Sequence, residues 1–220
     1  VATADAVYAF LCLSGNKLET NGHMKAVVGT EILDTPDDIL GYAAKSYTGT
    51  ETAASTVRIM KTGTGIGWGA VYAQCLEEMD KVRDAEGNGL SITREYLMDG
   101  KKIGRKTTLR AGDRLTVRLT VKADRDMDFV QIKDERAACM EPEEQVSGYY
   151  WNGNVGTYRV IRDASIEFFV DKFCKGTYIF EYIVRLDRIG TYQTGMATVQ
   201  SAYAPEFGGH TGGGSLNVPE

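Results

Sequence analysis

The chain has 220 residues, 43% of them hydrophobic, enough for one large or two small domains with a proper core. Its formal net charge is −5, with acids and bases interspersed, which argues against the clustered basic face that nucleic-acid binding needs. No apolar stretch approaches the ~20 residues of a membrane-spanning helix. In chain order, Ala2 to Leu13 comes first and reads as a helix. Thr3 can cap it, and alanines favour it. Ala4, Val7, Tyr8, Phe10 and Leu11 fall on one apolar face. Gly15 is a plausible left-handed terminator. A helix this short is marginal alone in water and must dock on something. The chain begins within this helix, without a starting Met or a signal peptide. It therefore reads as a fragment of a longer protein, with any targeting segment lying elsewhere.

From Lys17 to Val82 the period changes from that of a helix to that of strands. Met24–Val28, Ile39–Tyr47, Thr56–Lys61 and Trp68–Glu77 are strand candidates, with a turn signal at Thr35-Pro36-Asp37-Asp38. This zone reads as a small all-β unit. From Gly89 onward the alternation sharpens. Leu115, Val117, Leu119 and Val121 fall on one face of a strand, and Arg114, Thr116, Arg118 and Thr120 on the other. Further strands are expected at 90–98, Asp128–Lys133, Tyr158–Arg162, Ser165–Val170, Thr177–Arg185 and Gly190–Tyr203. Turn signals separate them, and no amphipathic helix intervenes. The fold class is mostly β: a small β domain followed by an antiparallel immunoglobulin-like β-sandwich, with one short N-terminal helix.

Little here looks catalytic. The run Lys101, Lys102, Arg105 and Lys106 reads as a solvated hairpin loop. Cys12, Cys75, Cys139 and Cys174 form neither a CxxC nor a zinc spacing with the two histidines, His23 and His210. Gly63 to Gly69 is glycine-rich but has no Gly-Lys-Ser/Thr after it, so it reads as a bend that lets Trp68 and the Tyr72 strand pack closely. Asp124, Asp126, Asp128, Asp134 and Glu135 could suggest calcium. The glycine and distal glutamate of a calcium loop are missing, and a solvated, Arg-paired loop is the plainer reading. No triad of nucleophile, base and orienting group can be built. No enzyme activity, cofactor or metal is expected. The aromatics Tyr149, Tyr150 and Trp151 read as a loop cluster, either plugging one end of the sandwich or contacting another domain.

Three runs together resemble the bacterial alpha-2-macroglobulin family. VATADAVYAFLCLSG (1–15) is similar to the closing helix of its thioester-containing helical domain. GIGWGAVYAQCLEEMDKV (65–82) resembles the last strand of the following CUB-like β domain. LSITREYLM, AGDRLTVRLTVKADRDMDFVQIKDERAACMEP, SGYYWNG, RDASIEFFVDKFCKGTYIFEYIVRLDRIGTY and ATVQSAYAPEFGGHTGG resemble its C-terminal macroglobulin domain. The similarity is closest to proteins of the Bacteroidetes type.

The resemblance implies three pieces: 1–16 as the residual helix of the thioester domain, 17–86 as the CUB-like domain and 87–220 as the C-terminal macroglobulin (receptor-binding-like) sandwich. It implies a protease trap, in which a bait region is cut and a buried Cys-Gln thioester captures the protease. The stretch Cys139-Met140-Glu141-Pro142-Glu143-Glu144-Gln145 has the wrong spacing for the thioester motif, and Pro142 interrupts it. The reactive centre and bait region are therefore expected upstream, and this portion is expected to shield and position the thioester domain. The implied partners are upstream domains of the same parent chain and, through the parent, target proteases. The implied location is extracytoplasmic, in the periplasm or at the cell surface, with lipoprotein anchoring through the missing N-terminus as one form of it. Interface candidates are Tyr149, Tyr150, Trp151, Tyr203 and Phe207. The competing reading is an extracytoplasmic carbohydrate- or surface-binding β-sandwich, which would need a shallow groove lined by coplanar Tyr and Trp.

Overall fold

The computed structural model describes residues 2–14, 22–35, 42–48, 56–65, 67–85, 87–104 and 107–220. The expected terminator Gly15, the turn at 36–38, the residues 39–41 and the pair Arg105 and Lys106 lie outside them. The chain forms two compact units, Val1–Gln74 and Cys75–Glu220.

In the first unit, helix α1 spans Ala2–Ser14. Its apolar face, with Val7, Phe10 and Leu11, is about half exposed. Strands β1 (His23–Val28), β2 (Glu31–Asp34) and β3 (Val57–Thr62) form an antiparallel sheet in the order β2-β1-β3. Asp34 ties the first two strands, accepting from Lys25 at 3.0 Å and lying 2.5 Å from His23 Nε2. Residues 42–48 and 67–78 have no regular structure, so the strands expected at Ile39–Tyr47 and Trp68–Glu77 do not form where they are described. Gly67 lets the chain approach Met24, whose Sδ would sit 2.3 Å from an added Cβ. The close packing expected of Trp68 and Tyr72 is absent: both side chains are exposed.

The second unit is a sandwich. One sheet holds β4 (Leu90–Met98), β5 (Lys101–Lys102), β6 (Arg114–Ala123), β8 (Met140–Pro142) and β12 (Gly176–Leu186), in the order β5-β4-β6-β12-β8. The other holds β7 (Met127–Glu135), β9 (Gly148–Asn152), β10 (Val155–Ile161), β11 (Ser165–Phe173), β14 (Ala197–Ser201) and β15 (Gly208–His210), in the order β15-β14-β7-β11-β10-β9. A ribbon of β13 (Gly190–Thr194) and β16 (Gly214–Val218) adds a third element. The strand expected over Gly190–Tyr203 is therefore two strands in different sheets, broken at Gly195-Met196.

The period-2 alternation puts one row of each strand into the core. Leu115, Val117, Leu119 and Val121 are fully buried, as the sequence pattern predicts. Phe168 of one sheet packs against Phe180 of the other, with ring centres 5.2 Å apart. Burying each such side chain is worth about 1.5–3 kcal/mol.

A pair of opposite charges occupies inward positions of facing strands. Arg94 continues the row of Leu90 and Ile92, and Asp134 continues that of Val130 and Ile132. Arg94 Nη1 donates to Asp134 Oδ1 at 2.6 Å and to Glu135 O at 3.2 Å. Its Nη2 donates to Gly195 O at 2.6 Å and Thr194 Oγ1 at 3.3 Å. The Tyr182 hydroxyl donates to Asp134 Oδ2 at 2.5 Å. Both carboxylate oxygens are thus satisfied from the facing sheet, and Arg94 reaches on to Thr194 of the ribbon. Burial pushes the Asp134 carboxyl above its ordinary value, against the pull of Arg94 and Tyr182. Asp134 is a buried strut, not the solvated loop residue its charged surroundings suggest.

The glycine-rich run at 208–214 lies against 79–85 and 87–90. Ala85 and His210 exchange two backbone hydrogen bonds of 2.8 Å. An added Cβ at Gly87 would sit 1.5 Å from Gly208 O, at Gly212 2.4 Å from Val82 O, and at Gly213 1.9 Å from Met79 O. Only glycine allows backbones this close. This strap ties 79–85 and Gly87 to the sandwich.

Candidate functional site

The five aromatic candidates lie in two places. Tyr149, Tyr150 and Trp151 sit on strand β9, at one edge of the six-stranded sheet, and not in a loop as their run of rings suggests. β9 turns into β10 through Gly153-Asn154, where Gly153 has φ 60 as the first residue of a two-residue hairpin turn. Alternation then sorts the three rings. Tyr149 and Trp151 face outward and are 84% and 80% exposed, so they are free to make contacts. Tyr150 faces the other way, its ring centre 3.9 Å from the Arg159 guanidinium carbon and its hydroxyl donating to Val146 O at 3.1 Å.

The outward row continues across the sheet. Tyr149 pairs with Tyr158, and Tyr158 with Phe169. The Tyr149 and Tyr158 rings meet edge to face, 4.8 Å apart and inclined 62°. Trp151 lies over Gly156, its partner on the neighbouring strand. Tyr158 and Phe169 are more than a third exposed, and nothing in their local sequence marks them as members of the patch. Their place follows from cross-strand register, which links positions far apart in the chain. The inclined rings do not form the coplanar platform that stacking against a sugar requires.

Tyr203 and Phe207 lie at the other side of the same sheet, in the turn between β14 and β15. Tyr203 is exposed and packs edge to face on Phe129, 5.1 Å away and inclined 87°. Phe129 stands at φ 53, a local kink in β7 that turns its ring outward. Phe207 is half-buried under the Arg125 guanidinium, 5.3 Å from the ring centre. The structure does not bring these two groups together.

Chemistry elsewhere is sparse. His23 is engaged with Asp34, and His210 Nδ1 is 3.2 Å from Thr211 O. All four cysteines are free, and burial pushes the Cys139 thiol above its ordinary value. Among the described residues no three His, Cys, Asp or Glu side chains converge as metal ligands. Asp124 pairs with Arg125 at 2.8 Å, and Asp126 accepts from Lys175 N at 2.7 Å. Among the described residues no helix is long and apolar enough to cross a membrane, which says nothing of a β-barrel.

Residues 89–206 match the family of the bacterial Alpha-2-macroglobulin MG10 domain. A comparison with curated protein sequences gave no match. Among solved structures the chain is similar to Salmonella alpha-2-macroglobulin reacted with methylamine, with a TM-score of 0.52 and 19% identity, covering 90% of this chain and 13% of that one. It is similar to native Escherichia coli alpha-2-macroglobulin spanning domain MG7 to the C-terminus, with a TM-score of 0.53 and 19% identity, covering 90% of this chain and 33% of that one. For the Escherichia coli protein activated by porcine elastase the TM-score is 0.53 and the identity 17%, covering 90% of this chain and 18% of that one. At these identities the likeness speaks for the fold. The chain spans a third or less of the length of these structures. The match over residues 89–206 covers more than half of the chain, and the mostly β sandwich agrees with it: the chain belongs to the bacterial alpha-2-macroglobulin family.

Proposed function

We propose that the chain is the C-terminal, non-catalytic portion of an alpha-2-macroglobulin-like protease inhibitor, and that it shields and positions the thioester domain of its parent protein. The observation that carries this reading is the family match over 89–206 on a sandwich with a largely uncharged aromatic strip on its outer face. In this reading 1–16 is the last helix of the thioester domain, 17–86 the CUB-like domain and 87–220 the C-terminal macroglobulin domain. The bait region and the Cys-Gln thioester belong to other parts of the parent. Its partners are those upstream domains and, through the parent, target proteases. The setting is extracytoplasmic, periplasmic or at the cell surface, with a lipid anchor on the parent as a further expectation.

A thioester survives only where water is kept out. Rigid aromatic side chains supply large apolar area at low entropic cost. Tyr149 and Trp151, continued by Tyr158 and Phe169, form the principal contact strip of this proposal, and Tyr203 with Phe207 a second. Tyr150 is committed to Arg159 and is the weakest of the five candidates. The test is the paired substitution Tyr149→Ala and Trp151→Ala in the full-length parent, followed by the rate of thioester loss to methylamine. A several-fold acceleration is expected. Unchanged kinetics would remove the shielding role.

A further inference from the structure

At the side of the sandwich where β8 ends, the two sheets part around a cavity of ≈ 280 Å³. β8 pairs with Val184–Leu186, and among the described residues the rest of β12 has no strand neighbour on that side. The gap is bounded at one end by Glu143 N donating to Ile183 O at 3.0 Å. At the other end Asn152 Nδ2 donates to Ile179 O at 2.5 Å. Pro142, Ile166 and Ile183 give it apolar walls, and Arg159 and Glu144 give it charge.

Arg159 is the unusual member. It is 7% exposed, yet its Nε is buried without a hydrogen-bond partner. A buried donor left unmade is costly and asks for an explanation. The ring of Tyr150 covers one face of the guanidinium, and Nη2 is held by the Glu144 carboxylate. The other acids of the cavity are already matched. Glu143 accepts two bonds of 2.6 Å from Arg114, and Glu181 accepts from Arg118 Nε at 2.5 Å. Glu144 differs from the cation it touches: its side chain is 67% exposed, in a run of exposed residues from 143 to 147. It can swing away without unmaking the core.

We propose that this cavity is a carboxylate-binding pocket, in which Glu144 is an internal stand-in. The ligand is a carboxylate on a small branched apolar body. Its oxygens replace Glu144 on Arg159 and supply the acceptor that Nε lacks, in the planar two-pronged geometry a guanidinium favours. Its apolar body fills the space beside Pro142, Ile166 and Ile183. The carboxylate can come from a free organic acid or from the C-terminus of a peptide chain.

Calorimetric titration of the 220-residue chain distinguishes these sources. The probes are isovalerate, acetyl-glycyl-valine with a free C-terminus, and the amide of each. Saturable binding of an acid but not of its amide is expected. Binding of isovalerate alone assigns the pocket to free acids, and binding of the dipeptide alone assigns it to chain termini. Glu144→Gln removes the internal competitor and is expected to tighten the acid about tenfold, the scale of one charge-assisted contact. Glu144 is exposed, so this variant folds. Failure of both acids to bind overturns the proposal and leaves water as the partner of Nε. Equal binding of acid and amide, or an affinity unchanged by Glu144→Gln, overturns it too.

Discussion

The two faces of the six-stranded sheet are made by the same strands and are put to opposite uses. Phe168 and Phe169 are neighbours in sequence, yet one is 3% exposed and the other 36%. Phe168 stands in a row with Ile132 and Val199, closed over by Phe180 of the facing sheet. Phe169 stands in a row with Tyr158 and Tyr149 on one side and Gln131 on the other, and the rings of that row are exposed by a third or more. Apolar surface on the inner face holds the fold. Apolar surface on the outer face lends little to it, and its cost in solubility calls for a partner.

The comparison can be broken most forcefully at the strut inside. Asp134→Ala leaves Arg94 charged and buried without its partner, and should cost about 3–5 kcal/mol in urea unfolding. Replacing both, Asp134→Leu with Arg94→Met, should recover most of that loss, because no orphan charge remains. Next comes the paired test of the two faces. Phe168→Ala should cost about 3–5 kcal/mol. Phe169→Ala should cost under ~1 kcal/mol, as surface changes do. Equal losses would dissolve the distinction between the faces. Gly213→Ala, whose Cβ would meet Met79 O, should cost about 1–3 kcal/mol through forced displacement of the strap. The smallest effect concerns acid. The hydrogen bond from Arg114, then the charges of Arg114 and Arg185, hold the Glu143 carboxyl below its ordinary value of 4.5. Its stabilisation is present above that value and is lost as pH falls through the lowered one. Glu143→Gln should flatten the decline of Tm in acid slightly.

Much of the sandwich could be read from alternation alone. Leu115 to Ala123 shows apolar and polar residues in turn, and it is a strand with the expected face inward; Thr177 to Arg185 alternates in burial, although Ile179 and Ile183 stand on its more exposed side. Strand β9 escaped because Gly-Tyr-Tyr-Trp-Asn does not alternate in polarity. Its two faces differ in what they touch, and register decides that. Trp68 to Glu77 misled in the opposite way: despite a strand-like composition it pairs with no strand among the described residues, and its large side chains are exposed. Asp134 was hidden by its company of acids. Its parity with Val130 and Ile132, and that of Arg94 with Leu90 and Ile92, held the signal. Opposite charges at inward positions of two strands imply a buried pair. The outward aromatic patch was half legible. Tyr149 and Trp151 could be picked out as rings, whereas Tyr158 and Phe169 joined them only through pairing across strands.

The glycine strap carries a practical consequence for anyone dissecting this protein. The missing side chains of Gly209, Gly212 and Gly213 are seats for the stretch that precedes β4. A gene truncated just before Gly89 would strip His210 and Gly212 of their backbone and Asp84 partners and leave an open trough along the sandwich. Boundaries for recombination, whether drawn by evolution or at the bench, are best placed ahead of Cys75.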